Sequence, residues 1–237
     1  MNFSIVIPIY NESENIINLL NEIFDNIASE NNFEIILIDD YSSDNSIQLI
    51  QKYMNNQKNI ILLTNKKNMG QSFSLVKGIK NSKNDIIVTL DGDGQNHPKD
   101  INKMVEKYII NNCNLVSGIR KTRIDSKTKI ITSKIANKIR SFLLNDKCED
   151  TGCGLKVFNK KIFLSFDYFN GIHRYIPALF VATRSKVIYE NIDHRQRKFG
   201  KSKYGTFDRL LYALKDLIIV MILINKIKKG KRSLNND

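Results

Sequence analysis

The first half of the chain alternates two hydrophobic rhythms. Short runs over Phe3–Ile9, Glu34–Asp39, Ile60–Thr64 and Asp85–Leu90 have the length and flanks of buried strands. After the first of them, Ile16, Leu19, Leu20, Ile23, Phe24 and Ile27 recur at helical spacing. Asn11 and Glu14 stand where a capping box would open that helix, and Asp44 or Ser43 is placed to cap the next. Another helix is predicted from about Gln71, and a further strand over Leu115–Ile119. Strands alternating with helices imply βαβ units, hence an α/β, Rossmann-like, mostly parallel sheet flanked by helices.

Beyond residue 119 the pattern changes. Ile130, Ile131, Ile135, Ile139, Phe142 and Leu143 fit an amphipathic helix with a basic outer face. Shorter pieces follow: Leu155–Phe158, a helix near Tyr175–Thr183 and a strand near Lys186–Tyr189. A basic loop, Arg195–Gly205, precedes a last helix over about Thr206–Ile227. With no repeat and no long linker, this reads as one domain over 1–205 and a helical extension with a basic tail over 206–237. The apolar run Leu217–Ile224 falls well short of the roughly 20 residues that span a bilayer. Lys226, Lys228, Lys229, Lys231 and Arg232 follow it, which predicts a helix lying in a membrane interface. Packing on the domain or in a dimer interface is the alternative.

Composition narrows the classes. Hydrophobic residues at 42% and charged residues at 26% belong to a globular chain and exclude disorder. The net charge of +13 suits nucleic acid, anionic lipid or phosphorylated substrates. A chain rich in Asn, Ile and Lys accounts for part of that charge but not for its placement. From Arg120 to Arg140 there are eight Lys or Arg against one acid, Asp125. Nothing resembles a stacking platform or recognition helix, so nucleic acid is set aside. The odd cysteine count (Cys113, Cys148, Cys153) and the lack of a leader pattern before Phe3 point to the reducing cytoplasmic side, with no zinc site.

Candidate chemistry gathers at strand ends, where open parallel sheets bind ligands. Three polar clusters lie there: Tyr10-Asn-Glu12, Asp39-Asp40 and Asp91-Gly-Asp93. Two carboxylates separated by one glycine can face one hard cation while the backbone nears a phosphate. An Asp/Gly turn that merely ends a strand is the plain alternative. Two further acidic strand ends favour a site.

The segments Ser4-Ile-Val-Ile-Pro-Ile-Tyr-Asn-Glu12, Ile38-Asp-Asp-Tyr-Ser-Ser-Asp44, Asn68-Met-Gly70 and Asp91-Gly-Asp-Gly-Gln95 resemble the inverting family-two glycosyltransferases of GT-A fold. Asp150-Thr-Gly-Cys-Gly-Leu-Lys156, His173-Arg-Tyr-Ile-Pro177 and Arg197-Lys-Phe-Gly-Lys-Ser-Lys-Tyr204 are similar to its polyprenyl-phosphate (dolichol-phosphate mannose synthase-like) branch. The resemblance implies a UDP- or GDP-linked nucleotide-sugar donor, with Pro8, Tyr10 and Glu12 on the nucleoside and Ile38 and Asp40 lining base and ribose. It implies Mg²⁺ or Mn²⁺ and the diphosphate on Asp91, Asp93 and Gln95, with Gly92, often Ala in the family, leaving room for the backbone. Arg197 and Lys203 would close over the same phosphates. Asp93 and Arg120 are the expected catalytic residues. Arg120 and Arg123 would steer an acceptor polyprenyl phosphate, with Asp150, His173 and Arg174 shaping its site. A lipid monophosphate has a second pKa of about 6 and needs positioning rather than a base. If the acceptor is instead a saccharide hydroxyl of a surface polysaccharide, a base is required, and Asp150 is the candidate. The enzyme is expected at the cytoplasmic face, peripheral to the membrane. Family members often carry transmembrane helices after this domain, which leaves open a separate membrane partner or a homo-oligomer.

Overall fold

In the computed structural model, residues 1–28, 31–121, 137–196 and 206–233 are described. The element order is β1 (Asn2–Ile9), α1 (Ile16–Asn26), β2 (Asn32–Asp39), α2 (Ser46–Met54), β3 (Ile60–Thr64), α3 (Gln71–Asn81), β4 (Ile86–Thr89), α4 (Asp100–Ile110) and β5 (Leu115–Arg120). A helical stretch over 137–144, α5, follows. Next come β6 (Lys156–Asn159), α6 (Lys160–Leu164), α7 (Ile172–Ala182), β7 (Val187–Ile192) and α8 (Thr206–Ser233).

The strands form one seven-stranded sheet in the order β3-β2-β1-β4-β6-β5-β7. All neighbours run parallel except β6, which is antiparallel to both β4 and β5. The expected mostly parallel α/β architecture is therefore present. Because the central strands are covered on both faces, they read as continuous apolar runs rather than alternations. Phe3, Ile5, Ile7 and Ile9 of β1 face α1 and α4, meeting Leu19, Leu20, Ile23, Ile101 and Met104. Val6 of β1 and Ile36 and Ile38 of β2 face the other layer, with Leu75 and Ile79 of α3 and Ile176 and Phe180 of α7.

Several local expectations differ. α1 starts at Ile16 without a capping box: the Glu12 carbonyl accepts from the Asn15 and Ile16 N–H groups, and Asn11 Oδ1 binds the Ser43 N–H instead. α4 occupies a stretch to which the sequence reading gives no element. In α5 the apolar stripe is turned outward, leaving Phe142 85% exposed beside exposed Ile139 and Leu143. The reason is ionic. Arg140 is buried, bonded through Nη1 to Asp146 Oδ2 at 2.6 Å and through Nη2 to the Cys148 carbonyl at 2.7 Å. Leu144, four residues on, shares its buried side. Ile130, Ile131 and Ile135 lie outside the described residues.

α8 packs on α7 through buried Val220 and Ile224, while Ile218, Met221 and Ile222 face outward. Asp216 of α8 sits over Gly171, whose φ of +106° and lack of side chain admit it: a Cβ there would lie 2.4 Å from its Oδ2. The protein-packing alternative for this helix thus holds for one of its faces. No helix among the described residues is long and apolar enough to cross a membrane.

Candidate active site

The carboxyl ends of β1, β2 and β4 lie side by side, with Pro8 opposite Ile38 and Ile9 opposite Asp39. Just past β4, Asp91 is fixed by its surroundings. Gln71, the first residue of α3, donates Nε2–H to Asp91 Oδ1 at 2.9 Å. Gly154 packs so closely that a Cβ on it would sit 2.2 Å from Asp91 Oδ2. Burial and then the charge of Asp93 push the Asp91 carboxyl up to about 6, against relief from Lys156, Arg120 and the Gln71 bond. A Cβ on Gly92 would come 3.2 Å from the Pro8 carbonyl oxygen, so glycine eases the approach of β4 to β1.

Two mutually repelling carboxylates, neither in an ion pair among the described residues, suit a divalent cation. Asp91 and Asp93 are hard oxygen donors. No group of three or more His, Cys, Asp or Glu side chains gathers to hold a metal among the described residues. A cation here would take one or two carboxylates and complete its shell with substrate oxygens and water, as Mg²⁺ does. Gln95 is not brought onto the pair by its amide. Its backbone N–H donates to Asp93 Oδ1 at 3.1 Å and its Nε2–H to the Arg195 carbonyl at 3.3 Å. Arg195 completes this brace, donating Nε–H to the Gly94 carbonyl at 2.9 Å and its two Nη groups to Glu22 at 2.9 and 2.5 Å.

At the other strand ends, Tyr10 is half-buried and Glu12 is buried, its Oε2 accepting from Asn15 at 2.8 Å. Ile38 is fully buried against Gly78 of α3 and belongs to the core rather than to the cleft. Asp40 holds the next loop: Oδ1 accepts from Met69 N–H and Asn65 Nδ2, and Oδ2 from Gly70 N–H, at 2.7–2.8 Å. This makes Asn68-Met-Gly70 a turn into α3, as its sequence suggests. Asp39 belongs to the Asp39-Asp40 strand-end cluster, with no role assigned to it from the sequence, and its Oδ1 is buried with no hydrogen-bond partner among the described residues. Its Oδ2 accepts from the Tyr41 and Ser42 N–H groups, both at 3.1 Å.

The expected acceptor residues come together only in part. Arg120 and Asp150 form a buried pair, Nε to Oδ2 and Nη2 to Oδ1 each at 2.6 Å, with the Arg120 N–H also on Oδ2 at 3.2 Å. One edge of the guanidinium, Nε and Nη2, is thereby committed. His173 and Arg174, at the start of α7, line a cavity of about 130 Å³ beside Asp91, with Gln71, Gly154 and Lys156. Ser72 Oγ accepts from Gly171 N–H at 2.9 Å and lies 2.7 Å from His173 Nδ1. Burial, then Arg174 and Lys156, drives the imidazole pKa down to about 3, so His173 is neutral. The cysteine thiols are all buried, and burial pushes Cys148 up to about 11. Arg123, Arg197 and Lys203 lie outside the described residues. Gln71 carries no motif that marks it; Gly154 and Lys156 lie in the Asp150–Lys156 segment and Arg195 opens the basic loop, but their roles depend on long-range placement.

Residues 4–165 match the family model for glycosyl transferase family 2. The chain belongs to this family. It is 31% identical over 229 residues to a dodecaprenyl-phosphate galacturonate synthase of Rhizobium johnstonii, covering 94% of this chain and 68% of that protein. It is 32% identical over 219 residues to an undecaprenyl-phosphate 4-deoxy-4-formamido-L-arabinose transferase of Pectobacterium carotovorum, covering 92% and 66%. The chain thus spans about two thirds of the length of these relatives. Among solved structures, a glucosyl-3-phosphoglycerate synthase of Mycobacterium tuberculosis, in complex with Mn²⁺, UDP and its product, superposes with a TM-score of 0.68 at 15% identity, covering 94% of this chain and 79% of that one. TarS of S. aureus in complex with UDP gives 0.63 at 16%, covering 96% and 70%. At such identities these two establish the GT-A-type fold of this glycosyltransferase and no more.

Proposed function

We propose that this family-two glycosyltransferase moves a sugar from a nucleoside-diphosphate donor to a polyprenyl phosphate, with inversion and with a divalent cation. One observation carries the reading: a carboxylate pair unmatched by any described ion-paired cation ends β4, in a chain whose curated relatives at 31–32% identity are polyprenyl-phosphate sugar transferases. Asp91 and Asp93 would hold Mg²⁺ or Mn²⁺, which supplies Lewis-acid stabilisation of the departing diphosphate. The chain's own residues do the rest. Gln71 and Gly154 fix Asp91, and the Arg195–Glu22 brace fixes the loop that bears Asp93. Pro8, Tyr10, Glu12 and Asp40 frame the nucleoside end. The orphaned Asp39 Oδ1 offers an acceptor to a nucleobase N–H, a group that uracil and guanine both carry. Arg197 and Lys203 remain candidates to cover the diphosphate. Mostly dianionic at neutral pH, the acceptor phosphate attacks without a base.

Peripheral attachment to the cytoplasmic membrane face fits the outward side of α8, where exposed Ile218, Met221 and Ile222 precede exposed Lys226, Lys228 and Lys229.

The test is transfer by purified protein, with Mn²⁺ or Mg²⁺, from a panel of labelled UDP- and GDP-sugars to farnesyl or undecaprenyl phosphate. Transfer that Asp93→Ala abolishes is expected. Full activity in Asp93→Ala would remove the metal assignment. Transfer to oligosaccharide hydroxyls and none to lipid phosphate would replace the acceptor.

A further inference from the structure

The cavity beside Asp91 has its positive charge in an unexpected place. Arg120 gives its Nε–H and an Nη2–H to Asp150. Lys156 has not been matched in this way. It stands on β6, opposite Thr89 of β4, and only 3% of its surface is exposed. Its ammonium has three donors, and the described residues show one acceptor for them, the Cys153 carbonyl. No carboxylate among the described residues pairs directly with it, although its charge is felt at Asp91. A buried ammonium is costly unless charge or hydrogen bonds offset it. Once a cation takes up the charge of Asp91, Lys156 loses that offset and an oxyanion in the cavity restores it.

His173 supplies a second donor to the same space. Ser72 Oγ accepts from Gly171 N–H, and among the described residues its own hydrogen has His173 Nδ1 as acceptor. With the Ser72 hydroxyl assigned as the donor to Nδ1, the single N–H of the neutral imidazole is on Nε2. The half-buried ring lines the cavity. Arg174 stands at the rim, half-exposed and only loosely paired with Asp216 at 3.6 Å.

We propose that this cavity is a phosphate-oxyanion subsite built from the Lys156 ammonium, the His173 Nε2–H and the Arg174 guanidinium, and that it receives the acceptor monophosphate. The assignment rests on the lipid-phosphate reading above. The same chemistry would also hold the donor's distal phosphate, and binding measurements separate the two sources. Farnesyl phosphate and farnesol, with Mn²⁺ but no nucleotide, probe the acceptor arm by calorimetry; UDP and GDP with Mn²⁺ probe the donor arm. Wild-type protein is expected to bind farnesyl phosphate at least tenfold more tightly than farnesol. Lys156→Met, which keeps the volume and removes the charge, is expected to weaken farnesyl phosphate tenfold or more and to leave nucleotide binding within twofold. Unchanged farnesyl phosphate affinity overturns the subsite, and a loss confined to nucleotide overturns the acceptor assignment. If Lys156→Met does not fold, His173→Asn combined with Arg174→Gln serves, with the same expected and overturning results. Binding of farnesyl phosphate by wild type without sugar transfer to it would sink the reaction and spare the subsite. Transfer with an unchanged Lys156→Met affinity would do the reverse.

Discussion

Holding His173 neutral has a consequence for stability that can be worked out. In the fold the imidazole pKa falls to about 3 from an ordinary value of 6.5, chiefly through burial and further through Arg174 and Lys156. Below pH 6.5 the unfolded chain takes up a proton that the folded chain refuses, so stability falls with pH from 6.5 towards 3. At pH 7.5 the effect is negligible. At pH 5 it amounts to the 1.5 pH units below 6.5 at 1.36 kcal/mol each, about 2 kcal/mol. The ring edge that reaches the cavity meets solvent, which brings the working figure to about 1–2 kcal/mol. At about 2–4 °C per kcal/mol for a chain of this size, that is a Tm loss of about 2–8 °C. His173→Asn retains an acceptor for Ser72 and has no group that titrates in this range. Thermal and denaturant unfolding of both proteins at pH 7.5 and 5.0 reads the difference between their pH responses, which cancels every other titrating group. Parallel responses would refute a buried neutral His173.

Three further outcomes follow from contacts near Asp91. Gly154→Ala drives a Cβ into the Asp91 carboxylate, so Asp91 must move by about an ångström; transfer should fall about a hundredfold, with weaker Mn²⁺ binding by electron paramagnetic resonance. Arg195→Ala removes the bonds that tie the Gly94 carbonyl to Glu22; Mn²⁺ half-saturation should rise several-fold, and Glu22→Gln should reproduce part of that rise. Asp150→Ala leaves the largely buried Arg120 without its hydrogen-bonded carboxylate, a loss of about 3 kcal/mol in denaturant unfolding, whereas Arg120→Met with Asp150→Leu should recover most of it.

The parallel half of the sheet is legible in the sequence because its buried strands are unbroken apolar runs of strand length. β6 shows in the sequence as the short piece Leu155–Phe158, but its place between β4 and β5 does not, since that depends on pairing with residues dozens of positions away. α4 had its own signal in Ile101, Met104, Val105 and Tyr108 at helical spacing behind Pro98, overshadowed by the polar run before it. The outward turn of α5 escapes pattern reading because an Arg140–Asp146 pair outweighs the apolar stripe. At the site, Asp91 and Asp93 are visible as acids at a strand end. Ile38 is not separable from a pocket residue by sequence, because β2 is buried on both faces and alternation carries no information there. Lys156 ends the Asp150–Lys156 segment that resembles the polyprenyl-phosphate branch, but the segment does not show which of its side chains meets Asp91. Only the antiparallel insertion of β6 brings it and Gly154 against Asp91.

That insertion also bears on which acceptor the site can serve. A hydroxyl nucleophile must lose its proton to a base, and Asp150 was the sequence candidate. Asp150 instead accepts three hydrogen bonds from Arg120. Swinging it out to act as a base would strand a buried guanidinium at a cost of several kcal/mol, an addition to the barrier worth two or more powers of ten in rate. His173, with Nδ1 on Ser72 and a pKa near 3, is too weak a base at neutral pH to replace it. A phosphate monoester asks for neither. It arrives largely deprotonated and needs positive charge and N–H donors to place it, which the subsite proposed for Lys156, His173 and Arg174 would provide with Asp150 left in its pair. The chemistry that leaves the Arg120–Asp150 pair intact is the proposed attack by a phosphate oxyanion.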